Sequence, residues 1–315
     1  MNPINRIAVL FLLAFTSACS NSSENMKVSY SPWPGYEILN SAIEEGYISD
    51  LEIVRYEDQA DPARAFSRGL IDIAQLTGIE ISNICKITPD RCPVIILVID
   101  QSTGGDQLMS INFSDVNDLK GRKVAVTTDA FGTYVLYQSL QDSHLSVDDI
   151  ALRPMVMDKM PEALANGEVD AIVTYPPTSE LAREFGASTI FDSSSMPAAV
   201  LDYMVVSPNL YLNEESKLRA LVAGWLKFLQ KFEKDEKPFI ESMAMNEGLE
   251  PNEFKELLEG LKFYSNPASQ VSLLSQDGLA ERNIDLIYQA GIQLGTIDSQ
   301  TLKPRISSKF LRSSG

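Results

Sequence analysis

AFSRGLIDIA, residues 65–74, and ALANGEVDAI, residues 163–172, share the pattern A-x-x-x-G-x-[IV]-D. In each copy a helical run reaches a glycine, which can take the left-handed conformation that ends a helix, and an apolar residue then enters a β-rich run. Working outward, short β-rich runs at 28–31, 51–56, 71–75, 94–99, 123–127, 171–174 and 203–206 predict strands, bounded by Gly, Pro, Asp or Ser. Helical patterns lie between them at 36–45, 62–67, 133–141 and 159–165. This alternation predicts βαβ units with parallel-rich sheets, and the echo predicts two similarly built α/β lobes in tandem. From residue 214 onward the pattern is helix after helix, over 214–234, 251–261 and 271–294. The basic end, with Lys303, Arg305, Lys309 and Arg312, reads as a solvated tail.

With 315 residues, 44% of them hydrophobic, the chain can bury a large core and exceeds the usual size of one domain. The Gly- and Ser-rich stretches 100–106 and 192–198 suit two crossings between lobes. Two crossings place a second lobe, 114–191, inside a first lobe made of 26–113 and 192–315. A cleft between two such lobes favours ligand capture by closure.

Composition excludes several classes of function. The 43 acidic residues against 26 basic ones give a net charge of −17, which disfavours nucleic-acid binding because phosphate neutralisation needs a basic face. There is one histidine, His144. Two-histidine zinc sites and the iron facial triad therefore cannot be built from one copy of the chain. No Gly-rich phosphate loop, dinucleotide fingerprint or nucleophile elbow occurs. His144 lies in the polar segment QDSHLSVDD, 141–149, where an exposed structural residue is expected rather than a general base. The chain is expected to be no enzyme, and to use neither metal nor cofactor.

Residues 1–18 read as a signal peptide: Arg6, an apolar run over 7–15, then Thr16, Ser17 and Ala18 before Cys19. The apolar run is too short for a membrane span, which takes about 20 residues. Ser-Ala-Cys resembles a bacterial lipobox, with Cys19 as the lipidated first residue and 19–25 as a tether. Thr16 stands where such boxes usually carry Leu, and ordinary cleavage nearby is the alternative. In an oxidising compartment Cys85 and Cys92 are expected to form a local disulfide closing the loop 86–91, with two unpaired thiols as the alternative.

SPWPGYE (31–37), DQSTGGD (100–106), DLKGRKVAV (118–126), NGEVDAIVTYPP (166–177) and VLDYMVV (200–206) resemble, in order and spacing, a known family. It is that of the type II periplasmic binding proteins of ABC importers in the nitrate, sulfonate and taurine group, whose relatives bind thiamine precursors. The resemblance runs from 26 to 207, and more loosely to 295. It implies a two-lobed α/β fold of the Venus-flytrap kind, with helices flanking parallel-rich sheets and a helical C-terminal part. It further implies a monomeric, membrane-anchored extracytoplasmic lipoprotein that captures a small-molecule solute and delivers it to an ABC permease. One departure is Tyr175-Pro176-Pro177, where relatives commonly carry Trp-Glu-Pro.

In open α/β sheets ligands sit outside the carboxyl ends of the strands. The loops meeting this condition are 31–36, 77–78, 101–102, 127–132 and 174–177, and none contains Lys or Arg. The expected ligand contacts are Ser31, Trp33, Tyr36, Thr77, Gln101, Ser102, Thr128, Asp129, Phe131, Tyr175 and Asp202. Aromatic faces beside carboxylates suit a heterocycle or an amine, while an oxyanion would ordinarily recruit an arginine fork. An amine, a heterocycle or a sulfonate-like solute is thus the expected cargo. A sensing lipoprotein that signals to a membrane receptor is the alternative, with an enzyme on the same fold a more distant one.

Overall fold

The computed structural model describes residues 25–58, 60–127, 131–196, 200–293 and 295–311. The signal peptide, Cys19 and nearly all of the tether, together with Thr128, Asp129 and Arg312, lie outside the described residues.

Twelve strands form two sheets. The first holds β1 (Met26–Tyr30), β2 (Leu51–Arg55), β3 (Ile73–Thr77), β4 (Val94–Ser102), β10 (Val200–Val206), β11 (Leu261–Phe263) and β12 (Arg305–Ile306). The second holds β5 (Gln107–Ser110), β6 (Lys123–Val126), β7 (Ala151–Pro154), β8 (Ala171–Thr174) and β9 (Ser188–Asp192). Both sheets are built alike. In the first, β2, β1 and β3 run parallel, followed by antiparallel β10 and then β4; in the second, β7, β6 and β8 run parallel, followed by antiparallel β5 and then β9. The antiparallel strand of each sheet is the first one the chain makes on arriving from the other sheet. The second sheet consequently begins at Gln107, ahead of the Ser114 expected from sequence, because β5 pairs with β8 and β9.

The echo is a structural repeat. Gly69 and Gly167 have φ of 74° and 71°. In each copy the glycine N–H and the N–H after it reach back into the preceding helix, Gly69 to Phe66 O and Leu70 to Ala65 O, Gly167 to Leu164 O and Glu168 to Ala163 O. That double bond pattern satisfies the last carbonyls of the helix and turns the chain toward the sheet. The aspartate N–H then docks on the middle strand of the three parallel ones in its own sheet, Asp72 on Lys27 O of β1 and Asp170 on Lys123 O of β6. His144 occupies the same left-handed cap position after its helix, with φ of 56° and its N–H on Gln141 O.

Helices flank the first sheet as α1 (Glu37–Glu44), α2 (Ala60–Ser67) and α3 (Gly78–Ile87), and the second as α4 (Gly132–Asp142), α5 (Met160–Ala165) and α6 (Thr178–Glu184). The C-terminal part supplies α7 (Pro208–Asn213), α8 (Glu215–Lys234), α9 (Lys237–Glu247), α10 (Pro251–Glu259), α11 (Pro267–Leu273) and α12 (Leu279–Gln293). The helix expected over 271–294 is thus two helices, with Asp277 in the left-handed region (φ 57°) between them. Trp225, Phe228, Phe239, Met243 and Phe254 of α8–α10 bury one face of the first sheet, in a cluster with Ile38 and Ile96. Phe66, Ile81 and Ile284 cover the other face.

The basic end is not a solvated tail. β12 pairs with β4, Lys303 bridges Asp285 at 2.6 Å, Lys309 bridges Glu215 at 2.6 Å, and Phe310 is buried against Tyr211. It is a strap across the end of β4 remote from the cleft described below.

Cys85 and Cys92 are bonded. The bridge closes the loop that presents Arg91, whose guanidinium donates to Phe66 O, Ile71 O and Asp72 Oδ1 and so clamps the first copy of the echo. Replacing both cysteines by Ala is expected to cost about 2 kcal/mol of unfolding free energy, given the short loop closed, as read from urea melts with and without reductant.

Candidate functional site

The carboxyl ends of the parallel strands of both sheets face one cleft of about 490 Å³. Pro32, Glu57 and Asp58 line it from beyond β1 and β2, and Thr127, Val156, Met157, Asp158, Tyr175, Pro177 and Thr178 from beyond β6, β7 and β8. Three of these residues are acidic and none is basic. The Pro176–Pro177 peptide is cis. Trp33 and Tyr175 meet edge to face across the two sets of loops, with ring centroids 5.8 Å apart.

Behind Trp33 and Tyr175 the first sheet presents buried carboxyls. Asp100 of β4 and Asp202 of β10 are direct partners across the ladder, and Thr77 of β3 is Asp202's partner on the other side. Directly paired residues share a sheet face, so these three side chains form a row. The loop SPWPGYE lies over it: the Trp33 indole N–H donates to Asp100 Oδ2 at 3.1 Å, and the Tyr36 hydroxyl donates to Asp202 Oδ1 at 2.5 Å. A Cβ on Gly35 would overlap Asp100 Oδ2, so only glycine lets the loop come this close.

Asp106, on the crossing after β4, and Glu80, in the first turn of α3, complete the acidic group, and both are buried. Glu80 Oε2 accepts from the Thr77 backbone N–H at 2.7 Å and its hydroxyl at 3.0 Å. Glu80 therefore takes the cap residue's N–H and hydroxyl at this helix start, as in a capping box. Among the described residues no Lys or Arg hydrogen-bonds to Glu80, Asp100, Asp106 or Asp202. Burial pushes Glu80 and Asp106 up to about 8, against the Thr77 bonds in the first case and aided by the charge of Asp202 in the second. Burial and then Asp202 hold Asp100 well above the usual carboxylate range. Asp202 is raised by burial and restrained by its bonds to Tyr36 and Asp100. Two facing carboxyls without a cation share a proton, which leaves Asp100 as the neutral partner.

A second acidic pair positions the loop from behind. Glu247, at the end of α9, accepts the Trp33 backbone N–H at 2.9 Å and the Tyr30 hydroxyl at 3.0 Å through Oε1. Burial and then Glu37 push Glu247 up to about 8. Glu37 is itself held by Asn40 at 3.2 Å and Asn246 at 2.9 Å.

Of the contacts expected from sequence, Trp33, Tyr36, Thr77, Tyr175 and Asp202 are brought together, and Ser31 and Ser102 are buried beside them. Two expectations are corrected. Gln101 alternates to the other face of β4, where its Oε1 accepts the Tyr264 hydroxyl at 2.5 Å. Phe131 belongs to the core over the second sheet, against Tyr134. The sequence reading missed Glu57, Asp58, Val156, Met157 and Asp158. The first two directly follow a strand that was legible, so the strand-end rule could have found them; the others follow β7, which carried no clear strand pattern. Glu80 and Glu247 gave no signal, since each is recruited by a fold-distant or capping contact.

Two sheets of identical strand order, exchanging their antiparallel strands and facing one cleft, define a periplasmic-binding-protein fold. The chain belongs to the NMT1/THI5-like family, whose sequence profile matches residues 44–231. It is similar in structure to the periplasmic aliphatic sulphonate-binding protein SsuA from Escherichia coli, with 16% identity, TM-score 0.72, and 92% of this chain and 99% of that one covered. SsuA from Xanthomonas axonopodis pv. citri bound to MOPS gives 15% identity, TM-score 0.72, and 89% and 96% coverage. The desulfurization enzyme DSZB gives 16% identity, TM-score 0.67, and 91% and 97% coverage. At such identities the likeness is one of fold, and binding proteins and an enzyme share it. No curated protein matches the chain. Among the described residues no helix is long and apolar enough to cross a membrane, and no group of three His, Cys, Asp or Glu could hold a metal ion.

Glu247 keeps its proton to about pH 8 in the folded chain but to only about 4 when unfolded. The folded state then binds more protons between these values, so this group's contribution to stability falls as pH rises from about 4 to about 8 and is level above. Glu247→Gln, which preserves the acceptor oxygen, is expected to flatten the fall measured by urea melts at pH 5 and pH 8. Gly35→Ala should displace the loop from Asp100 and destabilise the fold at every pH, by about 1 to 3 kcal/mol in the same melts.

Proposed function

We propose that the protein is the extracytoplasmic solute-binding component of an ABC importer, and that two lobes close on a small organic solute, whether an amine, a heterocycle or a sulfonate-like compound. The observation that carries this reading is the cleft, whose lining comes from strand ends of both sheets. A solute there touches both sheets at once, and only such a contact gives the closed state its differential affinity. The lobes follow the sheets, with the second inserted in the first and beginning at β5 rather than at Ser114. The hinge lies in the two crossings, which are tied together where the Ser193 hydroxyl accepts the Gly104 N–H at 3.0 Å and the Ser193 N–H donates to Asp106 O at 2.9 Å.

In this reading Cys19 carries a lipid that holds the protein at the membrane, the closed form docks as a monomer on the permease, and no turnover occurs. The position of His144 supports binding without acid–base chemistry: it is an exposed helix cap and does not line the cleft.

A thermal-shift screen over sulfonates, amines, pyrimidines and nitrate tests the reading. A cargo at a hundredfold excess over its Kd is expected to stabilise the fold by about 3 kcal/mol and to shrink the radius of gyration measured by X-ray scattering. A well-folded protein that no small solute stabilises would speak against solute capture.

A further inference from the structure

The geometry points to an organic cation as the solute: its positive charge is neutralised by the Asp100–Asp202 pair behind Trp33, Tyr36 and Tyr175, and a proton leaves the pair for solvent as it binds. The inference rests on the reading of the cleft as a solute site. It starts from charge that the fold leaves unbalanced. Asp100, Asp202, Asp106 and Glu80 are all at most 5% exposed, and among the described residues no Lys or Arg bonds to any of them. Buried carboxyls are ordinarily paired with cations, metals or donors sufficient to satisfy them. Among the described residues no three acidic side chains are arranged to hold a metal.

A second observation is independent of the acids. Gln75, only 2% exposed, leaves both its side-chain oxygen and nitrogen without a hydrogen-bond partner. It stands two residues before Thr77 on β3, and so on the sheet face that carries Asp100 and Asp202. Asp100 Oδ1 is likewise without a donor. The same sheet face thus keeps, in neighbouring rows, an amide and a carboxyl oxygen that a solute bearing N–H groups would satisfy.

The surroundings favour positive over negative charge at each layer. Glu57, Asp58 and Asp158 line the mouth. Tyr175, which lines the same cleft, has its phenol pushed well up by burial and then by Glu80, Asp106, Asp58 and Asp202. Tyr175 lines the cleft and can offer its ring to a cation, with Trp33 packed edge to face behind it. An oxyanion meets the reverse at every layer, and the Thr77 N–H and hydroxyl at the start of α3 are already taken by Glu80.

The proton balance follows from the groups that face the pair: Trp33 and Tyr36 from the loop, Thr77 from β3, Glu80 from α3 and Asp106 from the crossing. Without solute, Asp100 keeps a proton because Asp202 faces it in a buried setting. A bound ammonium or amidinium supplies the missing positive charge, so Asp100 releases that proton to the buffer while the cation keeps its own. Affinity for a permanent cation should therefore rise with pH, by up to about tenfold per unit when one whole proton is released.

Isothermal titration of the full chain with benzyltrimethylammonium and with phenylmethanesulfonate, a pair of similar shape and opposite charge, tests this at pH 5.5 and pH 8.0. Repeating it in phosphate and in Tris, whose ionisation heats differ, counts the protons released. The expected result is binding of the ammonium, tighter at pH 8.0, with proton release, and at least tenfold loss in Asp202→Asn. Asp100→Asn, isosteric with the neutral acid, should retain the fold and abolish the proton release, and it serves should Asp202→Asn not fold. Tighter binding of the sulfonate, or ammonium binding without proton release, overturns the inference and leaves solute capture standing. Silence of both probes overturns the inference, and silence of every solute in the thermal-shift screen, pyrimidines and nitrate included, overturns solute capture as well.

Discussion

Two carboxyls face each other across the middle of the first sheet, and much of the site is arranged around that contact. Asp100 and Asp202 are ladder partners, so the backbone register, not side-chain choice, sets their separation. Burial makes ionisation of both costly, and neighbouring groups answer that cost with neutral donors rather than with charge. Trp33 gives an indole N–H, Tyr36 a hydroxyl, and Gly35 gives up its side chain to let them approach. A single Lys or Arg here would have removed that cost and, with it, the ground for proposing a positively charged guest.

That contact joins packing to function through the loop SPWPGYE. The loop is fixed from beneath by Asp100 and Asp202 and from behind by Glu247, an α9 residue far away in sequence. The C-terminal helices are therefore more than cover for the sheet. They complete the wall that presents Trp33 to the cleft, and the strap formed by β12 and Phe310 secures the remote end of β4, the strand that carries Asp100.

The exchange of strands between the sheets gives the cleft its mechanical character. Each sheet receives its antiparallel strand directly after a crossing, so the two connections run side by side and are joined at Ser193. In the proposed reading, bending there would change the angle between the sheets while keeping both ladders, and a solute held between the strand ends that line the cleft would be the stop for that motion.

Fold class was legible in the sequence because it rests on local grammar. Helix, glycine and strand in the echo require only the left-handed freedom of Gly69 and Gly167, and alternation of β-rich and helical runs implies parallel sheets. Trp33, Tyr36 and Tyr175 could be named as candidates from sequence because they stand in loops that follow strands, and Asp202 because it stands beside a crossing; their contact with a solute is part of the proposal. Other features depended on pairing between distant segments. β5, β7, β9 and β11 were not read from the sequence and become strands only beside their neighbours. Gln101 was misjudged because a strand's facing is set by its ladder, and one position along β4 separates the cleft side from the other. Glu80 and Glu247 enter the site through contacts that no local spacing announces. The sequence by itself determined two α/β units, an acidic chain and cleft loops without Lys or Arg. Only the tertiary structure decided that buried carboxyls from β4, β10, α3 and a crossing converge without a cation, because electrostatics acts through space and the chain brings these residues together only on folding.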